Sequence, residues 1–362
     1  MFFDMVSRSF SSRLGDGMNT DPLICAEADS VLTPPRNVLI VNNPAAGTNG
    51  QHVIEEVTRM CGGPLRSVEI HVTTHRGSGT DAVREAVQGR GRALPDLIVA
   101  VGGDGTVREV IEGMTPGRRP AAPVLAIVPA GTGNSGYRML WGGRPWQEAL
   151  RVAVEAEDKG ARLRRLDLAH LAETDALVFL GACSGLIARA LETARDIPLT
   201  GPARYARALA ETAATFKPYP GRVTVDGTVL HEGDTVWANV GGGRIRGGQY
   251  LVLPRSLPDD AFLDVCVWGA EIPATRVADL TLTGGHVDRP GVVYGRGRRI
   301  VVERLDGQPL CFEHDGELQP PSGTTMTLDV LPGMIPVWGP RAGTEEGPGA
   351  EEPRAETGER AA

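Results

Sequence analysis

Lysine is almost missing from this chain, whose 362 residues hold two, Lys159 and Lys217. Neither lies in a glycine-rich loop, which excludes a Walker A loop and the strand lysine of protein kinases. Long apolar runs are lacking too, and none approaches the ~18 residues that a membrane-spanning helix needs. The five cysteines (Cys25, Cys61, Cys183, Cys266, Cys311) are scattered, odd in number and never at metal-ligand spacing. This argues against a disulfide framework and a zinc site, and for a reducing, cytoplasmic setting. Positive charge is not in excess. The formal net charge is −8, which argues against a nucleic-acid partner. No solenoid-type internal repeat is present.

What is there suits two domains, with 41% hydrophobic residues to build their cores. Residues 1–35 have no clear period. "MFFDMVSRSF" is too short and too charged to span a membrane and no small-residue cleavage site follows, so a frayed extension is favoured over a weak amphipathic anchor. Residues 36–162 alternate strand and helix: "NVLIV", "VIEEVTRM", "SVEIHVT", "TDAVREAV", "DLIVAV", "TVREVIEG", "VLAIV" and "PWQEALRVAVEA". Such repetition predicts a parallel sheet covered on both faces, hence a three-layer α/β domain. Thr106 and Glu109 have the spacing of a capping box, and Gly113 suits the residue after a helix.

Residues 163–319 read as a β-rich second domain. "VTVDGTVL" is a hairpin around Asp226-Gly227, and "TVWANVGG", "LDVCVWG" and "RIVVERLDGQPLCFEHDGE" alternate as strands do. One helical stretch, "GPARYARALAETAATF", interrupts them. Residues 320–339, with "TMTLDVLPG", are expected to return to the first domain. Residues 340–362 are polar, acidic and free of aromatics, the composition of a disordered tail.

Three buried strands of the first domain each end in a small-residue loop: "NNPAAGTNG", "GGDGT" and "PAGTGNSG". In an open parallel sheet such loops cluster beyond the carboxyl ends of the strands, where ligands bind. Glycine permits close backbone approach, and the freed amides at loop and helix start bind phosphate oxygens. One such loop is weak evidence. Three in order point to a polyphosphate ligand, with Asp104 suggesting a contact to Mg²⁺.

The succession "NPAAG…GGDGT…GTGN…DGE" resembles the diacylglycerol kinase catalytic-domain family, which includes bacterial lipid kinases and sphingosine kinases and is related in fold to NAD kinases. "GGDGT" alone would also admit an NAD kinase or a phosphofructokinase. "RRLDLAHL", "GPARYARAL", "VWANVGGGRIRGGQYLVLP" and "EHDGE" resemble the lipid-kinase branch. The resemblance implies an NAD-kinase-like nucleotide-binding domain followed by a β-sandwich acceptor domain. It implies ATP held by Asn43, Pro44, Gly47, Thr74, Gly102, Gly103, Asp104, Gly105, Thr106, Glu109, Gly131, Thr132 and Asn134. Asp167 matches an acidic position near the acceptor head group. Asp260, with the carbonyls of Leu257 and Phe262, matches a structural Mg²⁺ site of bacterial members. Asp315 and Glu317 match the segment that brings the general base, with Asp104 as organiser of nucleotide and metal.

Five positions in four segments depart from the family pattern. Ala46 stands for serine, Ser135 and Gly136 for Asp and Phe, Ala188 for an acidic residue, and Ala261 for glycine. The phosphate-binding residues survive while their surroundings change, which points to an active kinase with an unusual acceptor. The expected reaction is ATP- and Mg²⁺-dependent phosphorylation of a lipid alcohol such as diacylglycerol. A small hydroxylated metabolite as acceptor, or nucleotide binding without catalysis, are the alternatives. Peripheral contact with an anionic membrane and a homodimer stay open. Arg244 and Arg246 of "RIRGGQY" read equally as anion-binding or as a solvated loop.

Overall fold

The computed structural model describes residues 33–47, 50–89, 93–157, 160–321 and 323–341. The expected N-terminal extension lies almost wholly outside the described residues, as does the acidic tail. Among the described residues no helix is long and apolar enough to cross a membrane.

The chain opens with β1 (Asn37–Asn42), α1 (Gln51–Cys61), β2 (Ser67–Val72), α2 (Ser78–Val87), β3 (Leu97–Gly102), α3 (Asp104–Met114) and β4 (Val124–Pro129). Strand order is β2-β1-β3-β4, all parallel. β3 is buried along its whole length, as a strand covered on both faces must be, and its residues are accordingly apolar or glycine. Next come α4 (Ser135–Trp141) and α5 (Trp146–Glu155). Pro145 precedes α5, where its fixed φ and missing N–H cost nothing.

The antiparallel part contains β5 (Ala161–Leu171), β6 (Ala176–Val178), β7 (Ala182–Gly185), α6 (Leu186–Ala194), α7 (Gly201–Thr215), β8 (Tyr219–Val225) and β9 (Thr228–Gly241). It continues through β10 (Ile245–Arg246), β11 (Tyr250–Leu251), β12 (Leu263–Gly269), α8 (Val277–Thr283), β13 (Val292–Gly297), β14 (Arg299–Arg304), β15 (Phe312–His314), β16 (Glu317–Leu318) and β17 (Thr325–Pro340). The strand order β16-β15-β7-β9-β8-β14-β17 continues into β4, where Val337 pairs in parallel with Leu125. The long strands β5 and β17 pair over most of their lengths and join the two parts, with an irregularity between Leu331 and Ile335. β17 thus pairs with β14 over Thr325–Asp329 and with β5 from Leu328 onward, and meets the first sheet at Val337. Valines, Ile300, Phe312, Met326 and Leu328 fill one core of this part. A second core, with Trp237 and Trp268 at its centre, lies under α6, α7 and α8.

Two local expectations fail. α3 begins at Asp104, so Thr106 lies inside its first turn and makes no capping box. Gly113 lies within α3 and not beyond it. A Cβ there would stand 2.7 Å from the Thr80 carbonyl oxygen, so glycine is required because α2 and α3 touch. Contacts invisible in a local window set both residues: α2 for Gly113, and the Asn43 loop for Thr106.

Candidate active site

The loops after β1, β3 and β4 meet at the carboxyl ends of these strands. Asn43 Nδ2 donates to Thr106 Oγ1 at 3.0 Å, and Asn43 Oδ1 accepts the Ala45 N–H at 3.0 Å, an Asx turn that shapes the segment through Pro44. A Cβ on Gly103 would stand 3.1 Å from Gly131 Cα, so the second and third loops approach as only glycine allows. A Cβ on Gly102 would collide with Thr106, and one on Gly47 would stand 3.5 Å from Thr132 Oγ1. Asn134, at φ 53°, closes the third loop by accepting from Gly131 N (2.9 Å) and donating to Gly131 O (2.8 Å). Gly103 caps α3 without a side chain, and Gly105 and Thr132 face solvent. The result is a concave run of backbone beside a helix start, suited to phosphate oxygens.

Asp104 spends its carboxylate inside this framework. Oδ2 accepts the Ser135 N–H and Oδ1 the Gly136 N–H, each at 2.9 Å, so it caps α4 from the neighbouring loop. Burial pushes its pKa up against those two bonds, with the charge of Asp315 adding and that of Arg246 opposing.

The antiparallel part closes over the third loop. Ser135 Oγ accepts the Gly248 N–H (3.0 Å), and Gly133 packs on the Gly247-Gly248 turn between β10 and β11. A Cβ on Gly136 would stand 2.6 Å from the Phe179 ring, so an aromatic from another segment fills the space that Gly136 leaves.

Asp315 enters from the β15–β16 turn. It is 3% exposed and accepts N–H bonds from Phe179 (2.9 Å), Leu180 (2.7 Å) and Gly181 (3.3 Å). Burial alone would raise its pKa. The neighbouring His314, Arg246 and the Phe179 amide outweigh that and hold it below the usual carboxylate range. Glu313, also buried, accepts the Gly316 N–H at 2.8 Å, and burial pushes its pKa up.

Arg246 Nη1 stands 4.0 Å from Asp315 Oδ1, and none of its three side-chain nitrogens has a hydrogen-bond partner among the described residues. Gly181 makes room, since a Cβ there would collide with the guanidinium. Arg246 is therefore no solvated loop residue. Asp104, Glu313 and Asp315 share it as a counter-charge.

Known proteins share this two-part architecture. Residues 36–166 match the family model described as the diacylglycerol kinase catalytic domain. Residues 181–339 match the one described as the YegS C-terminal NAD kinase beta sandwich-like domain. The first part of the chain thus carries a diacylglycerol kinase catalytic domain.

A protein named "Diacylglycerol kinase" from Bacillus subtilis (strain 168) is 28% identical over 254 residues, 68% of this chain and 78% of that protein. A "Probable lipid kinase YegS-like" from Pseudomonas aeruginosa is 29% identical over 303 residues, 83% of this chain and 93% of the relative. A solved diacylglycerol kinase structure from Bacillus anthracis str. Sterne superposes with a TM-score of 0.61 at 23% identity, covering 84% of this chain and 97% of that one. It supports the fold.

The remaining family positions divide. Glu109 Oε1 and Oε2 accept the Gly77 and Gly79 N–H groups at 2.9 and 3.1 Å, so it caps α2 and fixes the turn that carries Thr74. Glu317 bridges the two parts through ion pairs with Arg108 of α3 (2.8 Å) and Arg76 of that same turn. Both its oxygens face guanidinium groups. Asp167 is tied to a different place. Its oxygens accept the Ala261 (2.6 Å) and Gly333 (2.7 Å) N–H groups, and burial pushes its pKa up to about 6.

At the turn where the family resemblance implies structural Mg²⁺, the donors do not fit. Asp260 Oδ1 accepts the Phe262 N–H (3.1 Å), and Oδ2 is ion-paired with Arg296. Sequence reasoning missed Arg76, Arg296 and the amides of 179–181. Each acts through a partner more than 30 residues away, and nothing near it in the chain marks it.

Proposed function

We propose that the chain is an ATP-dependent kinase that transfers the γ-phosphate to the hydroxyl of a lipid alcohol such as diacylglycerol. The observation that carries this is the meeting of three glycine loops beside a sealed group of carboxylates around Arg246. Glycines 47, 102, 103, 105 and 131, with Asn43, Thr106, Thr132 and Asn134, hold the nucleotide phosphates through backbone amides and hydroxyls. The cradle fits, because a side chain at Gly102 or Gly103 would crowd Thr106 or the Gly131 backbone. Thr74 and Glu109 belong to the nucleotide side. Mg²⁺ carried with the nucleotide would supply charge neutralisation on the phosphates, and the Asp104 loop would lie beside it.

The mechanism assigns each residue a task. Asp104 fixes the third loop against the second, so the cradle is organised before nucleotide arrives. Asp315 takes the proton of the acceptor hydroxyl. A loose phosphoryl-transfer transition state asks little base strength and much positioning. A carboxylate held ionised by Arg246, His314 and three amides suits that demand. Glu317, between Arg76 and Arg108, holds the β-rich acceptor-binding part, residues 163–319, against the nucleotide-binding part, residues 36–162. A lipid acceptor also requires peripheral approach to a membrane surface.

The test is transfer of label from γ-labelled ATP, with Mg²⁺, to diacylglycerol in mixed micelles by the full chain. Labelled phosphatidic acid is expected. Label appearing on soluble polyols and on no lipid overturns the acceptor class, and ATP binding without transfer to either overturns the kinase reading.

A further inference from the structure

We propose that Arg296 is a built-in replacement for the structural Mg²⁺ that the family resemblance places at Asp260. The turn from Leu257 to Phe262 is held by the chain's own groups. Ala261 adopts φ +63° without being glycine, a conformation that costs about 1–2 kcal/mol for an L-residue. Protein groups hold it there, since the Ala261 N–H is bound by the buried carboxylate of Asp167, whose other oxygen grips Gly333 of β17. Each acid of the turn is met by arginine. Asp259 takes a two-pronged bond from Arg164 (2.8 and 2.7 Å), and Asp260 takes Arg296.

Arg296 is placed for this by the sheet. It lies on β13 directly opposite Asp264 of β12. Its guanidinium also lies over the Phe262 ring at 4.8 Å, and Arg298 lies over the same ring at 5.4 Å. The planar cation is thus fixed by a carboxylate at its edge and an aromatic at its face, a geometry that lysine cannot reproduce. Mg²⁺ demands near-octahedral oxygen ligands at ~2.0–2.1 Å and dehydrates reluctantly. Here one Asp260 oxygen already accepts the Phe262 N–H and the other faces a guanidinium. A divalent ion would have to expel Arg296 and lie beside Arg298. The cation that closes the turn is therefore part of the chain, and the turn holds its shape whether or not Mg²⁺ is present.

The experiment uses the full chain without nucleotide, after chelation, and follows thermal unfolding with and without millimolar Mg²⁺, at matched ionic strength. The wild type is expected to unfold at the same temperature in chelator and in Mg²⁺. Arg296→Met is expected to unfold a few degrees lower in chelator and to regain most of that with Mg²⁺, because binding to the freed Asp260 stabilises the folded state by mass action. The double variant Asp260→Asn/Arg296→Met should lose the Mg²⁺ response. Mn²⁺ binding, followed by electron paramagnetic resonance, should show no site in the wild type that Asp260→Asn removes. The proposal is overturned by a saturable Mg²⁺ stabilisation of the wild type that Asp260→Asn abolishes. An Arg296→Met variant as stable as wild type and indifferent to Mg²⁺ overturns it equally. Since no arm reads phosphoryl transfer, failure here leaves the kinase reading standing, and failure of that reading leaves this one.

Discussion

The chain makes the same tight turn twice, for different ends. Asp226-Gly227 joins β8 to β9 with φ of 47° and 84°, and Asp315-Gly316 joins β15 to β16 with φ of 49° and 84°. In each, the aspartate turns its carboxylate back to accept amides from a distant segment. Asp226 takes Arg298 and Arg299 (2.9 and 2.8 Å), and Asp315 takes Phe179, Leu180 and Gly181. Only the surroundings differ. Asp226 is exposed, whereas Asp315 is buried beside Arg246, His314 and the Asp104 loop. Burial and amide bonds are what a purely structural aspartate would also show, so the comparison turns on rate. Asp315→Asn should lower kcat/KM for lipid phosphorylation by about 10²–10⁴-fold, the usual worth of a positioned acid–base group. Asp226→Asn should leave it within about twofold, as surface changes do. Equal effects from the two variants would make Asp315 a second Asp226.

The next contrast is the counter-charge, which Asp226 lacks in this form. Arg246 lowers the Asp315 pKa, so Arg246→Met should raise it, and the acid limb of the rate profile should move to higher pH. Arg246→Lys, which keeps the charge, should move it less. Stability follows with a definite sign. A carboxyl whose folded pKa is depressed contributes stability above its unfolded pKa, and that stability is lost as pH falls through the folded value. Arg246→Met should therefore shrink the acid-side loss of Tm. An unmoved acid limb with a lowered plateau would make Arg246 a packing residue only.

Much of this is legible in the sequence, and the parts that are not share a cause. The strands "NVLIV", "DLIVAV" and "VLAIV" announce a buried parallel sheet because their apolar runs need cover on both faces, and the structure has it. The loops are legible because three of them follow in order at strand ends, where one alone is weak evidence. The turns are legible from Asp-Gly itself, but the chemistry of the turns is not. The Asp-Gly pair itself does not separate Asp226 from Asp315; His314 and Glu317 beside Asp315 do, together with the neighbours that the fold delivers from 179–181 and 246. Glu109 shows the same limit. Its spacing to Thr106 reads as a capping box, yet its carboxylate caps α2, a different helix.

Phe179 gives a smaller and more local test of those surroundings. Its amide binds Asp315 and its ring fills the space over Gly136, where a Cβ would stand 2.6 Å from the ring. Gly136→Ala should destabilise the chain by about 1–3 kcal/mol through overpacking. Phe179→Leu should recover part of that, since contacting sites couple in a double-mutant cycle. Additive costs in urea unfolding would show that the ring and Gly136 do not share this space in solution.

The smallest expected effect comes from copying the motif. Thr228 follows Asp226-Gly227 where Glu317 follows Asp315-Gly316, so Thr228→Glu gives the chain a second Asp-Gly-Glu. Thr228 is exposed and cross-strand from Val225. The change should cost no more than about 0.5 kcal/mol, as surface substitutions do, and should leave kcat/KM unchanged. Glu317 is different because Arg108, with a side chain only 10% exposed, and Arg76 stand ready on the other part of the molecule. A triplet of residues carries no chemistry until a second segment brings its partners. If Thr228→Glu altered transfer to lipid, that reasoning would fail at its simplest point, because the acceptor would then be sensing charge on a surface far from the glycine loops in sequence and free of their carboxylates.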